Sequence, residues 1–136
     1  MNTDDLRTHI DQASGRLLAL EMASDRLDAA ALAAIDADTA LRTAKATLDD
    51  WEAVLLLEAQ RVGALDGSNE TIRKAQARGY RAASADWAEA TAAHENATVS
   101  AARARQEADS AAARYTVAKE ALRLHTAILG ILGRGL

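Results

Sequence analysis

Apolar residues recur in alternating steps of three and four along two stretches of this chain. The first reads Leu20, Ala23, Leu27, Ala30, Ala34, Ala37, Leu41, Ala44, Leu48, Trp51 and Leu55. The second reads Trp87, Ala90, His94, Ala97, Ala101, Ala104, Ala108, Ala111, Tyr115, Ala118, Leu122, His125, Leu129 and Leu132. Sustained heptads of this kind predict coiled-coil helices rather than ordinary amphipathic ones. Thr3 offers an N-cap, with Asp4 and Asp5 in the first turn, which places the first helix at about 4–61. Ahead of Leu20 the pattern drifts to Leu6, Ile10, Ala13 and Leu17 around Gly15, which predicts a local bend. The Gly-flanked run Val62–Asn69 predicts a loop over 62–69, with Ser68 or Asn69 capping the next element. A short helix follows at about 70–80. Gly79 and Ser84 predict a break before a long helix at about 84–131, and the Gly133–Leu136 tail should fray.

Laid antiparallel with Trp51 opposite Trp87, the two seams interdigitate. Leu48 then meets Ala90, Leu41 meets Ala97, Leu27 meets Ala111 and Ala23 meets Tyr115, while alanine faces alanine at Ala30, Ala34 and Ala37. Large against small is how close-packed helices avoid voids. The expected fold is a single all-α domain, a long antiparallel helical hairpin with a short helix at its turn. An alanine seam buries little apolar area, at about 25 cal/mol per Å². Both helices also carry a second apolar stripe: Leu18, Met22, Ala29 and Leu32 on the first, Val117, Ala121, Leu124, Ile128 and Ile131 on the last. A helix apolar on two faces requires two partners. The reading is a homodimer forming a helical bundle, or another protein held on that face, with Leu18, Met22, Leu32, Val117, Leu124, Ile128 and Ile131 as the interface.

Composition sharpens this picture without changing it. Proline, cysteine and phenylalanine are absent, so nothing interrupts long helices, and disulfides, thiolate metal sites and thiol catalysis are excluded. No apolar run approaches the roughly 18 residues of a membrane span, and the acidic start does not read as a signal peptide. The expectation is a cytoplasmic protein that does not engage membranes. A formal net charge of −4 argues against general nucleic-acid binding.

Candidate chemistry is sparse. His94 and His125 fall on the seam, and the antiparallel register brings His125 towards His9 with Asp5 one turn away. Two imidazoles without a further ligand do not make a metal centre, and His94-Glu95-Asn96 lacks the second histidine of a zinc-binding helix. Asp4/Asp5, Asp36/Asp38 and Asp49/Asp50 are too close in sequence to face one another on a helix. No nucleophile elbow, phosphate loop or dinucleotide fingerprint occurs. The sequence therefore predicts no enzyme, cofactor or metal. Arg73, Lys74, Arg78 and Arg81 form the densest basic group, beside Tyr80 and a helix start at Asn69. That arrangement suits a phosphate or an acidic partner. The alternative is pairing with Asp66, Glu70 or Asp86.

The run Asp66-Gly67-Ser68-Asn69-Glu70-Thr71-Ile72-Arg73-Lys74-Ala75-Gln76 resembles small helical proteins of tailed phages and prophages. These carry a Gly-x-Asn-Glu-x-x-Arg-Lys-Ala-like turn between two long helices, and the resemblance implies a mobile-element origin. The alanine-rich hairpin is also similar to actinobacterial type VII secretion substrates. Those place Trp-x-Gly in the turn, whereas Trp51-Glu52-Ala53 lies within a helix here, and Lys119 rather than an acid follows Tyr115. The leading expectation is a non-enzymatic module that docks on a host protein and inhibits it, with Asp66, Asn69, Glu70, Arg73, Lys74, Arg78 and Arg81 as its partner surface. The alternatives are a nucleic-acid accessory protein using the Arg73–Arg81 patch, a component of a larger assembly, or a secreted hairpin.

Overall fold

A computed structural model describes residues 2–134. They form three helices, α1 (Thr3–Arg61), α2 (Glu70–Ala82) and α3 (Ala85–Arg134), and no strand occurs among them. The fold is an all-α hairpin in which α1 and α3 pack against each other. Every seam position from Leu20 to Leu55 and from Trp87 to Leu132 is buried or half-buried. Trp51 lines one groove with Asp86, Glu89 and Ala90, the residues flanking Trp87, as the antiparallel register requires.

Contacts divide the chain into two compact units. One holds the first 34 residues together with those from Arg103 onward, and the other is Ile35–Ala102. The buried residues of the first are Ala30, Ala111 and His125; those of the second are Leu55, Ala59, Ala90 and Ala101. No large side chain is fully enclosed among the described residues. Methyl-sized groups thus occupy most of the interior, and long side chains lie along its edges.

Several local expectations change. Asn2, not Thr3, caps α1: its Oδ1 accepts the Asp5 N–H at 2.8 Å. The helix then runs through Gly15 without a break. Ile10 and Leu17 are about half exposed, and His9 takes the inward position instead. The inward series is Leu6, His9, Ala13, Leu20, so the heptad phase carries through this stretch. Arg16, the remaining inward position of that phase, is long enough to carry its charge out to water. α2 likewise passes through Gly79 and ends at Ala82, where the Ser84 N–H bonds the Arg81 carbonyl at 2.9 Å. Ser84 then caps α3, its Oγ accepting the Trp87 N–H at 3.3 Å. Gly133 and Arg134 remain helical; the fraying expected at Gly135 and Leu136 falls outside the described residues.

Candidate functional site

Two surfaces merit attention, one in each unit. In the Ile35–Ala102 unit it is the corner between α1 and α2. α1 stops because Gly63 adopts φ +77, a left-handed conformation that glycine enters without steric cost. The Gly63 N–H bonds the Gln60 carbonyl at 3.2 Å and the Ala64 N–H bonds the Ala59 carbonyl at 2.9 Å, the paired bonds of a Schellman terminus.

Beyond it, the Gln76 carboxamide clasps the loop. Its Nε2 donates to Asp66 Oδ1 at 2.7 Å, and its Oε1 accepts the Gly67 N–H at 3.0 Å. Arg73 Nη1 donates to the Gly67 carbonyl at 3.1 Å. Asn69 adopts an extended conformation and caps α2, its Oδ1 accepting the Ile72 N–H at 2.9 Å. A methyl group at Gly67 would stand 2.9 Å from Ile72 Cβ, so glycine is required for space. The run from Asp66 to Gln76 is therefore a folding device: its Gly, Asn, Arg and Gln each hold the corner shut.

The structure also accounts for most of the basic group. Lys74 pairs with Glu70 at 3.1 Å, one turn away. Arg81 reaches Glu52 at 3.0 Å, rather than Asp66 or Asp86. Its guanidinium also stacks over the Trp87 ring, 5.1 Å from the centroid, which helps keep it mostly buried. Arg78 alone of the four has no ion pair or hydrogen bond among the described residues. It shares a shallow groove with Glu52, Leu56, Lys74, Ala77 and Arg81. Exposed Leu56, Leu57, Val62 and Ile72 accompany it at the corner. Asp66, Asn69, Glu70, Arg73 and Lys74 all lie at this corner, but what they chiefly do is build it.

Behind the corner, Tyr80 hydrogen-bonds to Glu58. Burial of the ring raises its pKa above the ordinary 10.0, as do that hydrogen bond and the Glu58 charge, against an opposing contribution from Arg61.

The second surface belongs to the unit built from the chain's first and last segments. The exposed apolar side chains expected there are all exposed: Leu18, Met22, Leu32, Val117, Leu124, Ile128 and Ile131. Between the helices lies a groove of about 340 Å³, floored by Ala23, Ala29, Ala30 and Ala111 and rimmed by Arg26, Glu107 and Arg114. On α1, Gly15, Met22 and Ala29 stand one heptad apart on the edge of this face. On α3, Val117, Leu124 and Ile131 do the same, with Ala121 and Ile128 between them. Arg26, Glu107 and Arg114 take part in no ion pair among the described residues.

His9 and His125 do approach, with ring centroids 5.7 Å apart. Among the described residues no three ligand-type side chains converge, and no helix is long and apolar enough to cross a membrane. No protein-family model matches the sequence, and comparisons with curated proteins and with solved structures return no significant match.

Proposed function

We propose that this chain is a non-enzymatic protein-binding module that works as a homodimer and docks on another protein through the corner of its hairpin. Two features of the Ile35–Ala102 unit support docking at the corner. Exposed Leu56 shares a groove with the unpaired Arg78, and Leu57, Val62 and Ile72 are also exposed in this unit. The corner is also held rigid by the Gln76 and Arg73 bonds, and a rigid apolar patch with a polar rim binds at low ordering cost. The observation that carries the reading is this set of exposed aliphatic side chains where, among the described residues, no large side chain is fully enclosed. In the setting suggested by residues 66–76, the module is mobile-element-encoded, acts in the cytoplasm of a bacterial host and inhibits the host protein it binds.

Nucleic-acid binding receives less support, because Arg73, Lys74 and Arg81 already have partners within the chain. Affinity purification from a bacterial host tests the reading, comparing the unmodified chain with Leu56→Asp and Arg78→Glu. A stoichiometric protein lost from both variants is the expected result. Retention by both, or no such protein, would count against corner docking. A gel shift that weakens steeply with salt would favour phosphate contacts instead.

A further inference from the structure

We infer that the groove face of the unit built from the chain's ends is covered by a second copy of this chain, stacked antiparallel about a two-fold axis near Gly15. This deepens the homodimer reading, on which it rests, by naming the face that the second copy covers and the symmetry that relates the two. The first argument is area. The chain exposes 9480 Å², whereas a compact monomer of 14.4 kDa exposes only about 6,800 Å². The excess of about 2,600 Å² is comparable to what each partner covers in a large obligate dimer, roughly 1,000–2,500 Å². Within this unit the buried residues are two alanines and a histidine, which is little core for its share of the chain. Meanwhile Met22, Val117, Leu124, Ile128 and Ile131 are exposed along the edges of one groove.

Gly15 supplies the second argument. It sits inside α1 with no positive φ to demand glycine, and a methyl group there would meet open space. Glycine within a helix lowers its stability; at this point of the groove's edge, the lack of a side chain leaves α1 open to close approach by another backbone. Gly15 lies on the same edge as Met22 and Ala29. The groove sets Ala23–Ala30 against Glu107–Arg114, and the same antiparallel register carried towards the start of α1 brings Ala121 and Leu124 beside Gly15.

Charge supplies the third and fixes the direction. Asp5, Gln12, Ala19 and Arg26 are spaced by sevens along the same side of α1. Asp5 and Arg26 stand ten residues before and eleven after Gly15, and neither has an ion pair among the described residues. Antiparallel stacking centred on Gly15 lays α1 on α1 and α3 on α3. Arg26 of each copy then meets Asp5 of the other. The same symmetry packs Leu124 of one copy against the small Ala121 of the other, and Ile128 against Val117. The result is a four-helix bundle in which each groove is filled by the other copy's aliphatic side chains.

Sedimentation equilibrium on the full chain tests this, with twice the 14.4 kDa chain mass expected. Gly15→Leu and Ile128→Glu should shift the population to single chains, while Leu57→Glu, at a more exposed site in the other unit, should leave it dimeric. Gly15→Leu is informative because the substitution has room within the chain and favours helix, so lost pairing is not lost folding. The chain has no cysteine, so Gly15→Cys introduces a single thiol that should cross-link to its twin on oxidation, whereas Leu57→Cys should not. Asp5→Arg and Arg26→Asp should each weaken pairing several-fold, and together restore it. A single-chain mass at every concentration would overturn the inference, as would a dimer indifferent to Gly15→Leu or one in which Gly15→Cys fails to cross-link. A monomer that still captures a protein through its corner would remove the pairing and leave the protein-binding reading intact. A dimer that captures none would do the reverse.

Discussion

The Nε2 of His125 lies 2.9 Å from the carbonyl oxygen of His9. A carbonyl only accepts, so Nε2 must carry the proton. His125 is almost fully buried, which leaves this bond little competition from water. Long-range ¹H–¹⁵N spectra should therefore show neutral His125 as the Nε2–H tautomer; finding the proton on Nδ1 would contradict the contact. His125→Ala should cost roughly 2 kcal/mol, from the lost bond and the space left behind. His125→Leu should cost less, since the His9 carbonyl keeps its own helical donor.

Ala101, on the seam, is 1% exposed, and its neighbour Ala102 faces solvent. Enlarging the first forces the helices apart, whereas the second has nothing to strike. Thermal unfolding should show Ala101→Leu destabilised by about 1–3 kcal/mol and Ala102→Leu within about 0.5 kcal/mol of the unmodified chain. Equal melting temperatures for the two would refute an alanine waist.

Two glycines should respond in opposite directions. A methyl group at Gly67 collides with Ile72, while one at Gly79 meets open space on α2. Gly67→Ala should cost at least about 1 kcal/mol through displaced packing. Gly79→Ala should add roughly 0.5–1 kcal/mol, because alanine loses less backbone freedom than glycine in a helix. Denaturant midpoints measured side by side give the comparison, and a shared sign would show that the corner is looser than it is drawn.

Tyr80 ties stability to alkaline pH. Its pKa is raised in the fold by burial, then by the Glu58 hydrogen bond and charge, against Arg61. The folded state thus holds the phenolic proton more tightly than the unfolded chain. That contribution is fully present below the ordinary value of 10.0 and is lost as pH rises from there through the raised folded value. Absorbance at the phenolate band should show Tyr80 titrating above the ordinary value, and Glu58→Gln should lower the midpoint. An unchanged midpoint would remove Glu58 as a cause.

Both seams are legible in the sequence because sustained heptad spacing marks which face of each helix is buried. Misreading began where residue type and spacing disagreed. Ile10 and Leu17 are the greasier choices, yet the phase carried from Leu20 back to Leu6 turns His9 inward and leaves both of them half exposed. At the corner, the residues were visible but their tasks were not. Asn69 as a cap follows from local rules, and the structure agrees. Gln76 closing on Asp66 and Gly67 depends on where the loop returns. Arg81 choosing Glu52 and Trp87 depends on side chains 29 residues away and across a helix break. Those relationships arise only once the chain has doubled back, so no periodicity announces them.

A seam of near-identical methyl groups says almost nothing about how far one rod should slide along its neighbour. Ala30, Ala34 and Ala37 on one side, and Ala101, Ala104, Ala108 and Ala111 on the other, would match nearly as well after a shift of seven residues. Alignment information must therefore be written where the alanines stop. Arg81, bound to Glu52 of α1 and stacked on Trp87 of α3, holds it in one unit, and the His9–His125 contact holds it in the other. Fragments of this chain lacking either latch would have a vernier with no zero mark.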